Sequence, residues 1–135
     1  MIYKPSEIPL ELIAALPDAP RPKGNPGRKQ RPKYKAVVCA FDIETTALKK
    51  YRQSIMYIWQ LQLGFDITIV GRTWEEFLDV TDRIQNLLGE TKLVTYVHNL
   101  SYEFQFLSGI WYFKSEDVFC TEPRNKGQPQ AIWKA

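Results

Sequence analysis

Long apolar runs are missing from this chain of 135 residues: nowhere does it approach the roughly 20 uninterrupted apolar residues of a membrane span. Pro5, Glu7 and Pro9 stand where a secretory signal would place its basic and apolar regions, so secretion and membrane insertion are not expected. Cysteine is scarce. Cys39 and Cys120 each sit in an apolar, strand-like run with no Cys-x-x-Cys or Cys/His ligand spacing. That argues against a zinc module or a disulfide framework and fits a reducing, cytoplasmic setting. Histidine occurs once, at position 98. Proline is almost confined to the start, with Pro5, Pro9, Pro17, Pro20, Pro22, Pro26 and Pro32 making up seven of the nine. Each fixes φ and removes a backbone donor, which excludes a central strand or a long helix there.

What is present describes a globular chain, 44% apolar and 24% charged, of a length that suits one ordinary domain. The net charge of +3 is unevenly spread: residues 1–35 carry eight Lys/Arg against Glu7, Glu11 and Asp18, so the remainder is slightly negative. A basic arm ahead of a mildly acidic body can hold a polyanion near a site that is itself negative; the plainer reading is a solvated leader. Residues 1–33 are read as this Pro-rich basic leader. Glu7 to Ala15 is expected as a short helix with Leu10, Ile13 and Leu16 on one face, and Arg21 to Lys33 as extended linker. The folded part, residues 34–135, is expected to begin near Tyr34.

From Ala36 to Ile43 the run Ala-Val-Val-Cys-Ala-Phe-Asp-Ile is apolar on both faces, as in a strand buried on both sides. Ile55 to Leu63 reads as a second strand and Gly64 to Asp66 as a turn into a third, Ile67 to Val70. Thr73 and Glu76 have capping-box spacing, and Trp74, Phe77, Leu78, Thr81, Ile84, Leu87 and Leu88 keep helical period until Gly89. Lys92 to Val97 is a further strand, Ser101 to Ser108 a helix with Ser101 as cap, and Val118 to Cys120 a weaker strand. Asn125 to Ala135 gives no clear element. The order is that of an α/β fold with an antiparallel hairpin on one flank of a mixed sheet.

Two clusters carry the chemistry. On a strand, residues i and i+2 share a side, so Asp42 and Glu44 at the end of the first strand present two carboxylates together, the oxygen donors that Mg²⁺ requires. The second cluster runs from Tyr96 to Phe106 and holds His98, Asn99 and Glu103 among aromatics. In a capped helix Glu103 lies in the first turn, where the macrodipole alone favours a carboxylate. Tyr96, Tyr102, Phe104 and Phe106 suit a core or a surface that stacks unpaired bases.

Together the clusters resemble a known family. Phe41-Asp42-Ile43-Glu44-Thr45-Thr46 looks like the first exonuclease motif of family B DNA polymerases, and His98-Asn99-Leu100-Ser101-Tyr102-Glu103 like the second, about 55 residues on. The protein-primed polymerases of phages and linear plasmids are most similar. Their N-terminal 3′→5′ proofreading domain has a ribonuclease-H-like fold. The resemblance covers roughly residues 36–120. It implies that Asp42, Glu44 and Glu103 hold catalytic Mg²⁺ or Mn²⁺, and that Thr45, Tyr96, His98, Asn99, Tyr102 and Phe106 contact the 3′ end of single-stranded DNA. Two such ions would activate a water, stabilise the charge building on the scissile phosphate and assist the leaving 3′ oxygen. A terminal protein and the rest of the polymerase are the implied partners, with the basic leader, Arg124 and Lys126 near DNA, in host-cell cytoplasm and away from membrane.

The chain departs from the family twice. Glu103 stands where aspartate is usual, one methylene longer. The third motif, Tyr-x-x-x-Asp, does not occur; Tyr112…Glu116 comes nearest and follows Glu103 too soon. The ribonuclease-H-like domain is accordingly expected to be incomplete at its C-terminus, the chain being the N-terminal part of a longer polymerase or a separately encoded piece. The alternatives are a stand-alone 3′→5′ exonuclease and a catalytically incomplete module that binds single strands or a replication partner.

Overall fold

In the computed structural model, which describes residues 1–20, 33–48, 53–98, 100–110, 118–121 and 130–134, the strand bearing Asp42 and Glu44 lies at the centre of the sheet. This strand, β3 (Cys39–Leu48), pairs antiparallel with β4 (Gln53–Leu63), and β4 pairs antiparallel with β5 (Ile67–Gly71). On its other side β3 pairs in parallel with β7 (Val94–Val97) through Cys39↔Thr95 and Ala40↔Tyr96. Beyond β7 come β9 (Gln130–Lys134) and β8 (Val118–Thr121), both antiparallel to their neighbours. A two-residue strand, β1 (Ile2–Tyr3), lies parallel to β5 and completes the order β1-β5-β4-β3-β7-β9-β8. A separate parallel pair joins β2 (Lys33–Tyr34) to β6 (Thr91–Lys92). The architecture is α/β with a mixed sheet. Among the described residues no helix is long and apolar enough to cross a membrane.

The helix α2 (Trp74–Leu88) starts and stops where its chemistry dictates. Thr73 accepts from the Glu76 N–H while the Glu76 side chain accepts from the Thr73 N–H, and Gly89, at φ 60, turns the chain out. Its buried face, Phe77, Val80, Thr81 and Ile84, covers Cys39, Phe41, Ile43, Trp59, Leu61 and Leu63 of the sheet. The opposite face of β3, Ala40, Asp42 and Glu44, is exposed. The expectation of burial on both sides is therefore corrected: apolar composition filled one face only, and the polar residues mark the other. The strand also does not end at Glu44 but runs to Leu48, because Gln53 to Met56 supplies the ladder partners.

Two further expectations change. The leader of residues 1–33 does not stand apart over its first twenty residues. Ile2 and Tyr3 add an edge strand, and α1 (Leu10–Ala14) buries Ile13 completely, with Ile8 beside it in the core. Proline forbids long regular elements, yet leaves room for a two-residue strand and a single helical turn. The linker at 21–32 lies outside the described residues. Second, Gln130 to Lys134, within the stretch that gave no clear element, is the strand between β7 and β8. Its five residues carry too short an alternation to show a period.

Trp59 is fully buried, donates its indole N–H to the Thr73 carbonyl at 2.8 Å and meets Phe77 edge-on at 5.1 Å. Gly71 faces it across the sheet, and a Cβ there would lie 2.2 Å from Trp59 Cζ2. Gly71→Ala is therefore expected to cost about 2–3 kcal/mol by overpacking, read as a lower urea midpoint at unchanged slope. Stability equal to that of the wild type would show that the Trp59 ring is free to move aside. Burial also pushes the Cys39 thiol up to about 11, opposed by a hydrogen bond from the Gly64 backbone. In a Cys120→Ser background Cys39 should resist thiol reagents at pH 8 until the protein unfolds; rapid native labelling would contradict this burial.

Candidate functional site

The site arises where β7 stops short of β3. Parallel pairing ends at Ala40↔Tyr96 and β7 at Val97, so Asp42 and Glu44 extend past the end of their neighbour. The chain turns at His98 and enters α3 (Leu100–Leu107), which brings Glu103 against Asp42. Glu103 is 4% exposed, and its Oε2 has no hydrogen-bond partner among the described residues. Its carboxyl is pushed up to about 7, first by burial and then by Asp42, which hydrogen-bonds its protonated form and repels its charged one; its own backbone N–H opposes the shift. The ion pairs among the described residues, Lys35–Asp18 and Arg83–Asp79, include none of Asp42, Glu44 and Glu103.

An aromatic row holds α3 in place. Tyr102 and Phe106 meet at 5.6 Å, Phe106 stacks on Trp74 at 6.3 Å, and Trp74 meets Phe77 in the core at 5.7 Å. The hydroxyls of Thr45 and Tyr102 hydrogen-bond to each other, tying the strand that bears Asp42 to the helix that bears Glu103. Leu107, one turn beyond Glu103, is fully buried. The carboxylates are thus positioned by packed elements on both sides.

Of the residues singled out by the sequence, the fold brings Asp42 to Glu103 and Thr45 to Tyr102. Glu44 is exposed on the same face as Asp42. Tyr96 is exposed across from Ala40, and His98 is exposed in the turn that follows. Phe106 is half-buried in the aromatic row, and Asn99 lies outside the described residues. Trp74 escaped the sequence reading as part of this site, because its helical spacing marks it only as core.

The donor set suits a hard cation in kind: oxygen ligands, one of them orphaned and buried beside a second carboxylate. Asp42 and Glu103 are the pair that fits. Among the described residues, no three His, Cys, Asp or Glu side chains converge closely enough to hold an ion as a set. An apolar groove of about 970 Å³ opens at the opposite end of β3, between Tyr3, Leu12, Val37 and Phe65, and none of the three carboxylates lines it. Compared with known proteins, the chain matches no family model, no curated protein and no solved structure.

Proposed function

We propose that this chain is the N-terminal part of a protein-primed family B DNA polymerase and carries its metal-dependent 3′→5′ exonuclease site on a ribonuclease-H-like sheet. The observation that carries the reading is the meeting of Asp42 with Glu103, whose buried Oε2 has no hydrogen-bond partner among the described residues. Two carboxylates with no cationic side chain paired to them among the described residues are an unfavourable arrangement for stability alone, and a divalent ion relieves it. The mixed sheet, with an antiparallel hairpin on one side of β3 and a parallel strand on the other, supports the same reading.

Bound there, Mg²⁺ or Mn²⁺ would activate a water and stabilise the charge that develops on the scissile phosphate. Asp42 and Glu103 supply the negative charge that holds the ion, with Glu44 completing the acidic edge. Thr45 and Tyr102 fix the distance between strand and helix. Exposed Tyr96 and His98 offer a ring face and a donor to the 3′-terminal nucleotides of a single strand. The terminal protein and the remainder of the polymerase are the partners of this reading.

A second reading, a module that binds single strands without cleaving them, is favoured by the lack of a three-ligand set among the described residues. A 3′-labelled single strand with Mn²⁺ separates the two. Degradation abolished by Asp42→Ala with Glu44→Ala supports the exonuclease. Degradation that survives this double substitution refutes the assigned site. Binding without degradation leaves the module.

A further inference from the structure

The alternation along β4 places Ile55, Tyr57, Trp59, Leu61 and Leu63 on one side, five apolar residues in a row at strand spacing. The fold buries only the last three of them. Glu44 pairs with Ile58 but Thr45 with Met56, so Tyr57 is an extra residue on β4, a β-bulge opposite the Glu44/Thr45 step. Past the bulge the faces exchange: Met56 enters the core at 6% exposure, while Tyr57 and Ile55 stand out at 43% and 45%. A regular ladder would have kept both in the core with Trp59. The fold gives up the burial of two large side chains and gains an aromatic ring beside the acidic edge. Bulges recur next to active sites because they re-aim a side chain in this way.

We infer that Tyr57, turned out of the core by the bulge opposite Glu44 and Thr45, is a base-stacking residue for single-stranded nucleic acid bound at the Asp42/Glu103 site, with Ile55 as its apolar flank. The inference rests on the exonuclease reading and adds a binding residue that the sequence motifs leave out. A ring face stacks on any base, so Tyr57 contributes affinity without sequence preference. Its strand neighbours fix its place: Ile58 is paired to Glu44, and Gln60 to Asp42. Tyr57 therefore lies on the hairpin side of the carboxylates, whereas Tyr96 lies on the β7 side, and a strand crossing the acidic edge would meet an exposed aromatic residue on each flank.

The test uses the full chain and a fluorescein-labelled ten-nucleotide oligo(dT), with Ca²⁺ present to allow binding without cleavage, followed by anisotropy. Tyr57→Ala and Tyr57→Leu are expected to weaken binding about tenfold, whereas Tyr57→Phe and Tyr57→Trp stay within about twofold of the wild type. Phe65→Ala, which removes a fully exposed ring from the β4–β5 turn at the far end of the hairpin, should change nothing. Unchanged melting midpoints establish that the variants are folded, and Tyr57→Leu keeps enough bulk to report should Tyr57→Ala unfold. Binding by the wild type that Tyr57→Ala and Tyr57→Leu leave intact overturns the role of Tyr57 while the exonuclease reading stands. No binding or cleavage by the wild type, whatever the state of Asp42, overturns both.

Discussion

Glu103→Gln is expected to leave stability unchanged near pH 4.5 and to raise it at pH 8. The folded protein holds the Glu103 proton up to about pH 7, whereas the unfolded chain releases it near the ordinary carboxyl value of 4.5. Below that value both states are protonated and the group costs nothing. As pH rises, the unfolded state ionises first, so folding must retain a proton that solvent would take, and stability falls until the folded carboxyl also ionises. The loss is at most about 3 kcal/mol, at 1.36 kcal/mol for each pH unit between the two values. Glutamine keeps the volume and can still donate to Asp42, yet does not titrate. Urea midpoints measured from pH 4.5 to 8 should therefore slope downward for the wild type relative to Glu103→Gln. Parallel curves would mean that Glu103 ionises freely in the folded protein.

The same titration reports on the proposed cation. An ion beside Asp42 and Glu103 favours the charged carboxylate, so millimolar Mn²⁺ should flatten the wild-type slope above pH 6 and stabilise the protein there. It should do neither in Asp42→Ala, where one donor is gone, nor in Glu103→Gln, where the charge is. The two variants fail for different reasons. Asp42→Ala also removes the repulsion that raises the Glu103 carboxyl, so its own slope should shrink even without metal.

Local chemistry explains which parts of this fold could be read in advance. The capping box at Thr73 and Glu76, the stop at Gly89 and the turn at Gly64 are each set by residues within a few positions, and the elements they bound lie where expected. The one-sided burial of β3 was not readable, because Ala40 and Val38 look the same to a periodicity whether covered or not; Val38 is 67% exposed. The bulge at Tyr57 escaped for a related reason. Alternation at Ile55, Tyr57 and Trp59 is unbroken in the sequence, and only the register with Glu44 and Thr45 reveals the extra residue. In the site, the paired carboxylates of Asp42 and Glu44 follow from strand period alone. The approach of Asp42 to Glu103 depends on β7 ending at Val97, a tertiary fact that no local pattern holds.

Lys35→Met is expected to destabilise the protein by about 2–3 kcal/mol and to loosen residues 1–20 before the sheet. The Lys35 side chain is 7% exposed, and its Nζ donates to the carbonyl of Ala14, the last residue of α1, at 3.2 Å and to that of Leu16, just beyond the helix, at 2.8 Å. Methionine fills the volume and satisfies neither of these part-buried carbonyls, and an acceptor left unpaired out of reach of water costs about 1–3 kcal/mol. The ion pair to Asp18 at 2.9 Å matters less, since Asp18 is 73% exposed and such pairs contribute about 1 kcal/mol or less. Asp18→Asn should therefore have a small effect where Lys35→Met has a large one. Amide exchange should locate the difference: faster exchange at Ala15 and Leu16, whose N–H groups bond within α1, and at Ala19, which bonds to Tyr34, ahead of any change in β4 or β5. Equal losses from the two substitutions would instead show that Lys35 acts through its ion pair with Asp18, its bonds to the two carbonyls adding little beside the apolar contacts at Ile8 and Ile13.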